Sequence, residues 1–145
     1  MSAPALATPA TTDPALPYHH PVRVYWEDTD AGGVVFYANY LKFFERARTE
    51  WLRQRGVAQQ ALKDSTGAMF VVTDTQVSYR RPARLDDLLD VTVQLVESGR
   101  ASFVIQQQAW CQGQLLTEGR IRIGCVDATT LRPRRIPEPV LAAMT

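Results

Sequence analysis

Two aspartates, Asp28 and Asp30, stand just before Gly32-Gly33, the apolar run Val34 to Tyr37, and Asn39. A carboxylate in a glycine-bent loop, beside the unpaired N–H groups of a helix start, is suited to acid/base or nucleophilic work on a polarised carbonyl. Two metal readings fail. In a calcium loop begun at Asp28, position five would be Gly32 and position twelve Asn39, which leaves too few oxygen ligands. In a phosphotransferase-like DxDx[TV] pattern, Gly32 stands where Thr or Val belongs. A plain Asp-Thr-Asp also serves as a solvated turn, so its surroundings decide. Gly33 lets backbone approach a ligand closely, Val34 begins the apolar wall, and a backbone N–H near Tyr37 is placed to hold a developing oxyanion. Gly33 and Val34 are therefore candidate substrate contacts, with a carboxylate of this loop and a backbone N–H near Tyr37 as the candidate reacting groups.

What is missing narrows the chemistry further. The sequence has no G-x-S-x-G elbow, P-loop, G-x-G-x-x-G or H-E-x-x-H. Its two histidines, His19 and His20, precede the loop, so a carboxylate must carry the base role. Cys111 and Cys125 fall in separate apolar strands without ligand partners at motif spacing and read as small core hydrophobes.

The elements around the loop are legible from periodicity. Val22, Val24 and Trp26 alternate with Arg23, Tyr25 and Glu27 as a half-buried strand. Asn39 to Arg55 is helical, with Leu41, Phe44, Ala47 or Arg48, Trp51 and Leu52 on one face, Asn39 as N-cap and Gly56 past the end. Ala58 to Asp64 adds a short helical segment. The period then becomes two. Met69, Val71, Thr73, Thr75, Val77 and Tyr79 share a face, followed by strands at Leu89 to Leu95, Phe103 to Cys111 and Leu115 to Val126. A last helical turn spans Val140 to Met144. One long helix must cover the inner face of an antiparallel sheet, which gives an α+β fold with a curved five-stranded sheet wrapped around the helix.

At 145 residues the chain makes a single domain. A formal charge of +1 argues against bulk attraction to nucleic acid or membrane. No apolar run reaches the roughly 18–20 residues that span a bilayer. Met1 to about Tyr18 is Ala/Thr/Pro-rich without a secretory pattern and reads as a disordered tail, with residues 19–145 as the domain. The expected compartment is the cytoplasm.

The run Val22-Arg23-Val24-Tyr25-Trp26-Glu27-Asp28-Thr29-Asp30-Ala31-Gly32-Gly33-Val34-Val35, followed by Asn39-Tyr40, resembles the signature of hotdog-fold thioesterases. It is similar to the 4-hydroxybenzoyl-CoA thioesterase type and more closely to the Tol–Pal-associated, YbgC-like acyl-CoA thioesterases. Phe44 to Glu50, Pro82 to Asp87, and Cys125-Val126-Asp127 with Pro133 carry the closer match, and the resemblance spans Pro21 to Pro137. It implies hydrolysis of an acyl-CoA thioester by a homodimer or homotetramer with active sites at the dimer interface. Asp30 then matches the catalytic aspartate and the Tyr37 N–H the carbonyl-polarising donor. No metal or resident cofactor is implied, since coenzyme A belongs to the substrate. The chain departs from the YbgC-like pattern at Tyr37, where those proteins usually carry His and the 4-hydroxybenzoyl type carries Tyr. The choice between short aliphatic and aromatic acyl groups is thus open.

Other residues carry two readings each. Tyr25 lines the site or packs a strand. Glu45 is the rival carboxylate, or it pairs with Arg48 three residues on. Arg80, Arg81 and Arg84 flank one strand end and Arg132, Arg134 and Arg135 another, while Arg100 sits in a turn. Arg81, Arg100 and Arg134 are the candidate holders of CoA phosphates, against plain surface solvation. A hotdog dehydratase would need a histidine near the helix entrance, which this chain lacks. A role in docking acyl carrier protein or an envelope-lipid enzyme, with incidental hydrolysis, is the alternative function.

Overall fold

The computed structural model describes residues 16–145. Five strands, β1 (Tyr18–Arg23), β2 (Ala68–Tyr79), β3 (Leu88–Ser98), β4 (Ser102–Cys111) and β5 (Gln114–Asp127), form one antiparallel sheet in the order β1-β3-β4-β5-β2. Helix α1 (Asn39–Gln54) covers its inner face, with α2 (Gln59–Thr66) and α3 (Glu138–Met144) at one end. This is the α+β hotdog architecture that the periodicity and the motif predict. Residues 1–15 of the expected tail lie outside the described residues, and Tyr18 already opens β1.

The core forms where apolar periodicities from helix and sheet meet. Phe43, Phe44, Ala47, Trp51 and Leu52 of α1 are buried against Leu89, Val91 and Val93 of β3, Phe103, Ile105 and Ala109 of β4, and Ile121, Ile123 and Cys125 of β5. Gly119 permits the closest approach. A Cβ built there would lie 3.0 Å from the Phe44 ring and 3.3 Å from the Ile121 side chain. Gly119→Val should therefore lower stability by about 1–3 kcal/mol through overpacking, read by thermal denaturation.

Four local expectations are corrected. The first strand starts and ends earlier than predicted. Trp26–Asp28 is a single 3-10 turn, and Trp26 is 81% exposed rather than inward. The α1 stripe is rotated: Tyr40 and Phe43 are buried while Leu41 is 43% exposed. Asn39 is the first helical residue rather than the N-cap, a position held by Ala38. In β2 the single alternating face breaks at a register shift between Val72 and Asp74. Ala68 and Phe70 point inward before this bulge and Val77 after it, because an extra residue exchanges the two faces of a strand. Gly56, by contrast, adopts the left-handed conformation (φ 84) expected just past α1.

One core polar residue has no signal in the pattern. Gln107, in the middle of β4, is fully buried, and its amide donates to the carbonyls of Phe44 (3.0 Å) and Thr92 (3.3 Å). It ties α1 to the sheet.

Candidate active site

Between β1 and α1 the chain folds into a small hairpin. Asp30 N–H donates to the Val34 carbonyl at 2.9 Å, Phe36 N–H to the Asp28 carbonyl at 2.9 Å, and Gly33 N–H to the Asp30 carbonyl at 3.0 Å. Gly33 closes this turn at φ 79, a left-handed conformation that favours glycine. The hairpin is docked onto the segment after β2, with Val35 N–H donating to the Ala83 carbonyl at 2.8 Å and Val34 bridged to Arg84.

The two aspartates do different work. Asp28 is 6% exposed, and its Oδ2 accepts the Tyr25 N–H at 2.8 Å. Its carbonyl also accepts the Asn39 amide at 2.8 Å, so Asp28 and Asn39 bind the loop to the start of α1. Asp30 is exposed. Its Oδ1 accepts the Gly32 N–H at 2.8 Å, and no contact among the described residues occupies its Oδ2. Thus Asp28 is a structural hub, and Asp30 presents a free carboxylate oxygen on a fixed turn.

Past the hairpin, the entrance to α1 is aromatic. The Tyr37 ring stands 5.0 Å from Phe36 and 6.0 Å, edge-on, from Tyr79. The Tyr79 hydroxyl donates to the Tyr37 carbonyl at 3.1 Å. Burial, with the neighbouring Tyr37 and Tyr40, pushes the Tyr79 hydroxyl pKa upward, which keeps its proton available for that bond. Among the described residues, no backbone or side-chain acceptor takes the Tyr37 N–H. A free N–H at a helix entrance, on a backbone pinned through its carbonyl, can stabilise an anionic oxygen.

Residues 24–144 match a family described as the thioesterase-like superfamily. The chain belongs to that superfamily. The acyl-CoA thioester hydrolase YbgC of Escherichia coli O6:H1 is 44% identical to it over 126 residues, which cover 86% of this chain and 93% of that protein. The acyl-CoA thioesterase YbgC of Haemophilus influenzae is 42% identical over 126 residues, covering 87% and 93%. The crystal structure of a probable thioesterase from Bartonella henselae superposes with a TM-score of 0.81 at 32% identity, covering 84% of this chain and 100% of that one. The resemblance read from the loop motif is therefore one of family as well as of fold.

Within one chain of this thioesterase, the predicted site residues divide into two groups. Tyr25, Asp30, Gly33, Val34 and Tyr37 lie in or beside the hairpin, and Arg81 follows the nearby end of β2. Tyr25 is 62% exposed, so it is not the packed strand residue of the blander reading. Arg80 is occupied by Glu118 at 2.5 Å, whereas no carboxylate among the described residues pairs with Arg81 or Arg84. Arg100 and Arg134 are not brought to Asp30. Tyr79 pairs with Thr117 and Ala68 with Asp127, and Arg134 reaches the Thr66 carbonyl at the Ala68 end. At about 3.3 Å per residue, the 12 residues of β2 separate the two ends by roughly 35–40 Å. Glu45 and Arg48 form no direct ion pair among the described residues, although Glu45 still acts on Arg48 electrostatically: Glu45 accepts the Thr49 hydroxyl at 2.5 Å, and Arg48 donates to Gln107 at 3.1 Å.

Sequence reasoning missed Tyr79 and Asn39 as site supports. Periodicity shows Tyr79 only as one residue of a strand face, and its partner lies 42 residues away. Tyr79→Phe keeps the ring contacts and removes the hydroxyl. A net hydrogen bond of about 1 kcal/mol predicts a loss of roughly fivefold in kcat with acyl-CoA, measurable by thiol release.

Proposed function

We propose that this thioesterase hydrolyses acyl-CoA thioesters to the free acid and CoA, with the Asp30 carboxylate and the Tyr37 N–H as its reacting groups. The observation that carries the reading is the open Asp30 Oδ2 in the same hairpin that delivers an unoccupied Tyr37 N–H at the start of α1. The thioester carbonyl oxygen accepts from the Tyr37 N–H. Asp30 then either attacks the carbonyl carbon or takes a proton from an attacking water. In the first route, an Asp–acyl anhydride forms as the C–S bond breaks and CoA thiolate leaves to take a proton from solvent. Water then cleaves the anhydride to acid and aspartate. In the second route, water adds directly and the same thiolate departs. Thiolate is a good leaving group, so a positioned carboxylate and an oxyanion donor suffice.

We further propose that the working unit is a homodimer joined through β2. That strand is a 12-residue sheet edge, paired among the described residues only with β5, and an unpaired edge of this length is a template for another strand. Around it lie exposed large apolar side chains: Phe36 (45%), Tyr37 (63%), Val72 (48%) and Tyr79 (46%). Covering them would also shut water out around Asp30, which strengthens the electrostatic contribution. Antiparallel pairing about the middle of β2 would set the Ala68 end of one chain beside the Tyr79 end of the other. Arg100 and Arg134 would then approach the partner's hairpin, which supports their role with CoA phosphates across the interface. Thiol release from a panel of acyl-CoAs tests the activity, and absence of turnover on every member would sink it.

A further inference from the structure

Asp30 and the Tyr37 N–H are held by different contacts, and one buried side chain backs both. Tyr40, the second residue of α1, is 2% exposed. Its ring stands edge-on to Phe43 at 5.8 Å and to Tyr79 at 5.7 Å. A phenylalanine would serve that packing equally well. A buried tyrosine brings in addition a hydroxyl that needs a partner.

The hydroxyl meets the segment that follows β2. Its oxygen accepts the Ala83 N–H at 3.1 Å, and Ala83 is fully buried. The Ala83 carbonyl accepts the Val35 N–H at 2.8 Å, and the next residue, Arg84, is bridged to Val34. The Val34 carbonyl in turn accepts the Asp30 N–H at 2.9 Å. Ala83 is thus a strut with Tyr40 behind it and the Asp30 hairpin in front. Burial raises the Tyr40 pKa, so near neutrality the hydroxyl is uncharged and presents a lone pair to the Ala83 N–H. The fully buried Thr117 of β5 stands by the same oxygen. A buried N–H left without an acceptor is costly, so the strut follows the hydroxyl.

The second route runs through the ring. Tyr79, against which Tyr40 packs, donates its hydroxyl to the Tyr37 carbonyl at 3.1 Å. We infer that Tyr40 is a positioning residue for thioester hydrolysis: its hydroxyl sets the Asp30 hairpin through Ala83, and its ring sets the Tyr37 peptide through Tyr79. The distance between carboxylate and oxyanion donor is then fixed from one buried point. The inference rests on the roles proposed above for Asp30 and Tyr37 and adds the residue that holds them in register.

Tyr40→Phe tests it in the full chain, because it removes one oxygen and leaves the ring against Phe43 and Tyr79. The Asp30 hairpin loses its backing while the Tyr37 peptide keeps its own. Thiol release should show kcat lowered about tenfold with KM changed by less than about twofold, as expected for misplacement of a reacting group that is not itself a substrate contact. In an Asp30→Asn background no carboxylate remains to be misplaced. There the same substitution should cost less than about twofold more, since residues that act as a unit are not additive. A loss of about tenfold in both backgrounds would overturn the inference, being the mark of a general packing defect, and so would an unchanged kcat. Amide hydrogen exchange on wild type gives a check independent of whether the variant folds. The Ala83 and Val35 amides should be protected at least about 100-fold relative to an unfolded chain, and free exchange at Ala83 would remove the strut. These failures leave the thioesterase reading standing, whereas wild-type turnover by Asp30→Asn alone overturns both the Asp30 role and this inference.

Discussion

Asp30→Asn is expected to reduce acyl-CoA turnover by about a hundredfold or more with the fold intact, since a positioned acid/base group contributes roughly 10²–10⁴. The substitution isolates charge from shape. Asn keeps the Oδ1 that accepts the Gly32 N–H at 2.8 Å, so the turn closed by Gly33 survives. It removes the carboxylate that would attack the acyl carbon or deprotonate water. Thiol release at saturating substrate, with circular dichroism as the folding control, reads the effect. A loss of only a few-fold would remove Asp30 from the chemistry and direct attention to Glu45, whose carboxylate stands on α1 hydrogen-bonded to Thr49. A full loss would still leave nucleophile and general base to be separated by trapping the acyl-enzyme.

The second large effect concerns assembly. The protein should sediment at twice its 16.3 kDa chain mass, and Thr75→Asp should convert it to monomers. Thr75 is exposed in the middle of β2, next to Asp74. Two β2 edges paired about their centres would bring four carboxylates of the variant together, and like charges across paired strands repel. The chain itself should still fold, because strand propensity at an exposed position spans only about 1 kcal/mol. Activity should fall with dissociation by tenfold or more, since loss of positioning by even 1 Å can cost on the order of 100-fold. Sedimentation and kcat/KM measured on the same samples decide it. Monomers with wild-type turnover would place a complete site within one chain.

The contrast between the two predictions reflects how the information is distributed. The hairpin chemistry is local: Asp30, Gly33 and Tyr37 fall within eight residues, and their types and spacing foreshadow a carboxylate on a tight turn beside a helix start. The sheet was largely legible too, because the inward positions predicted for Leu89, Val91, Phe103, Ile105, Ile121 and Ile123 are buried, even though register shifts interrupt the pairing of β3 with β4 and of β4 with β5. Where the reading slipped, a long-range partner had overridden a local pattern. The β2 bulge answers to pairing with β5. The rotation of α1 answers to how Tyr40 and Phe43 meet the sheet, with the Tyr40 hydroxyl accepting the Ala83 N–H at 3.1 Å.

The sequence by itself determined the fold class, the family, and the short motif on which the proposed chemistry rests, because periodicity and turn residues are encoded between neighbours. Only the tertiary structure decided which aspartate is a buried hub and which is free. Tertiary contacts also gave Tyr79 to the Tyr37 carbonyl, turned Arg48 from Glu45 toward a buried glutamine, and left Arg100 and Arg134 at the far end of the sheet. Each of these depends on contacts between residues distant in the chain, and the burial and hydrogen-bond partners that separate two identical side chains come into being only when those segments pack.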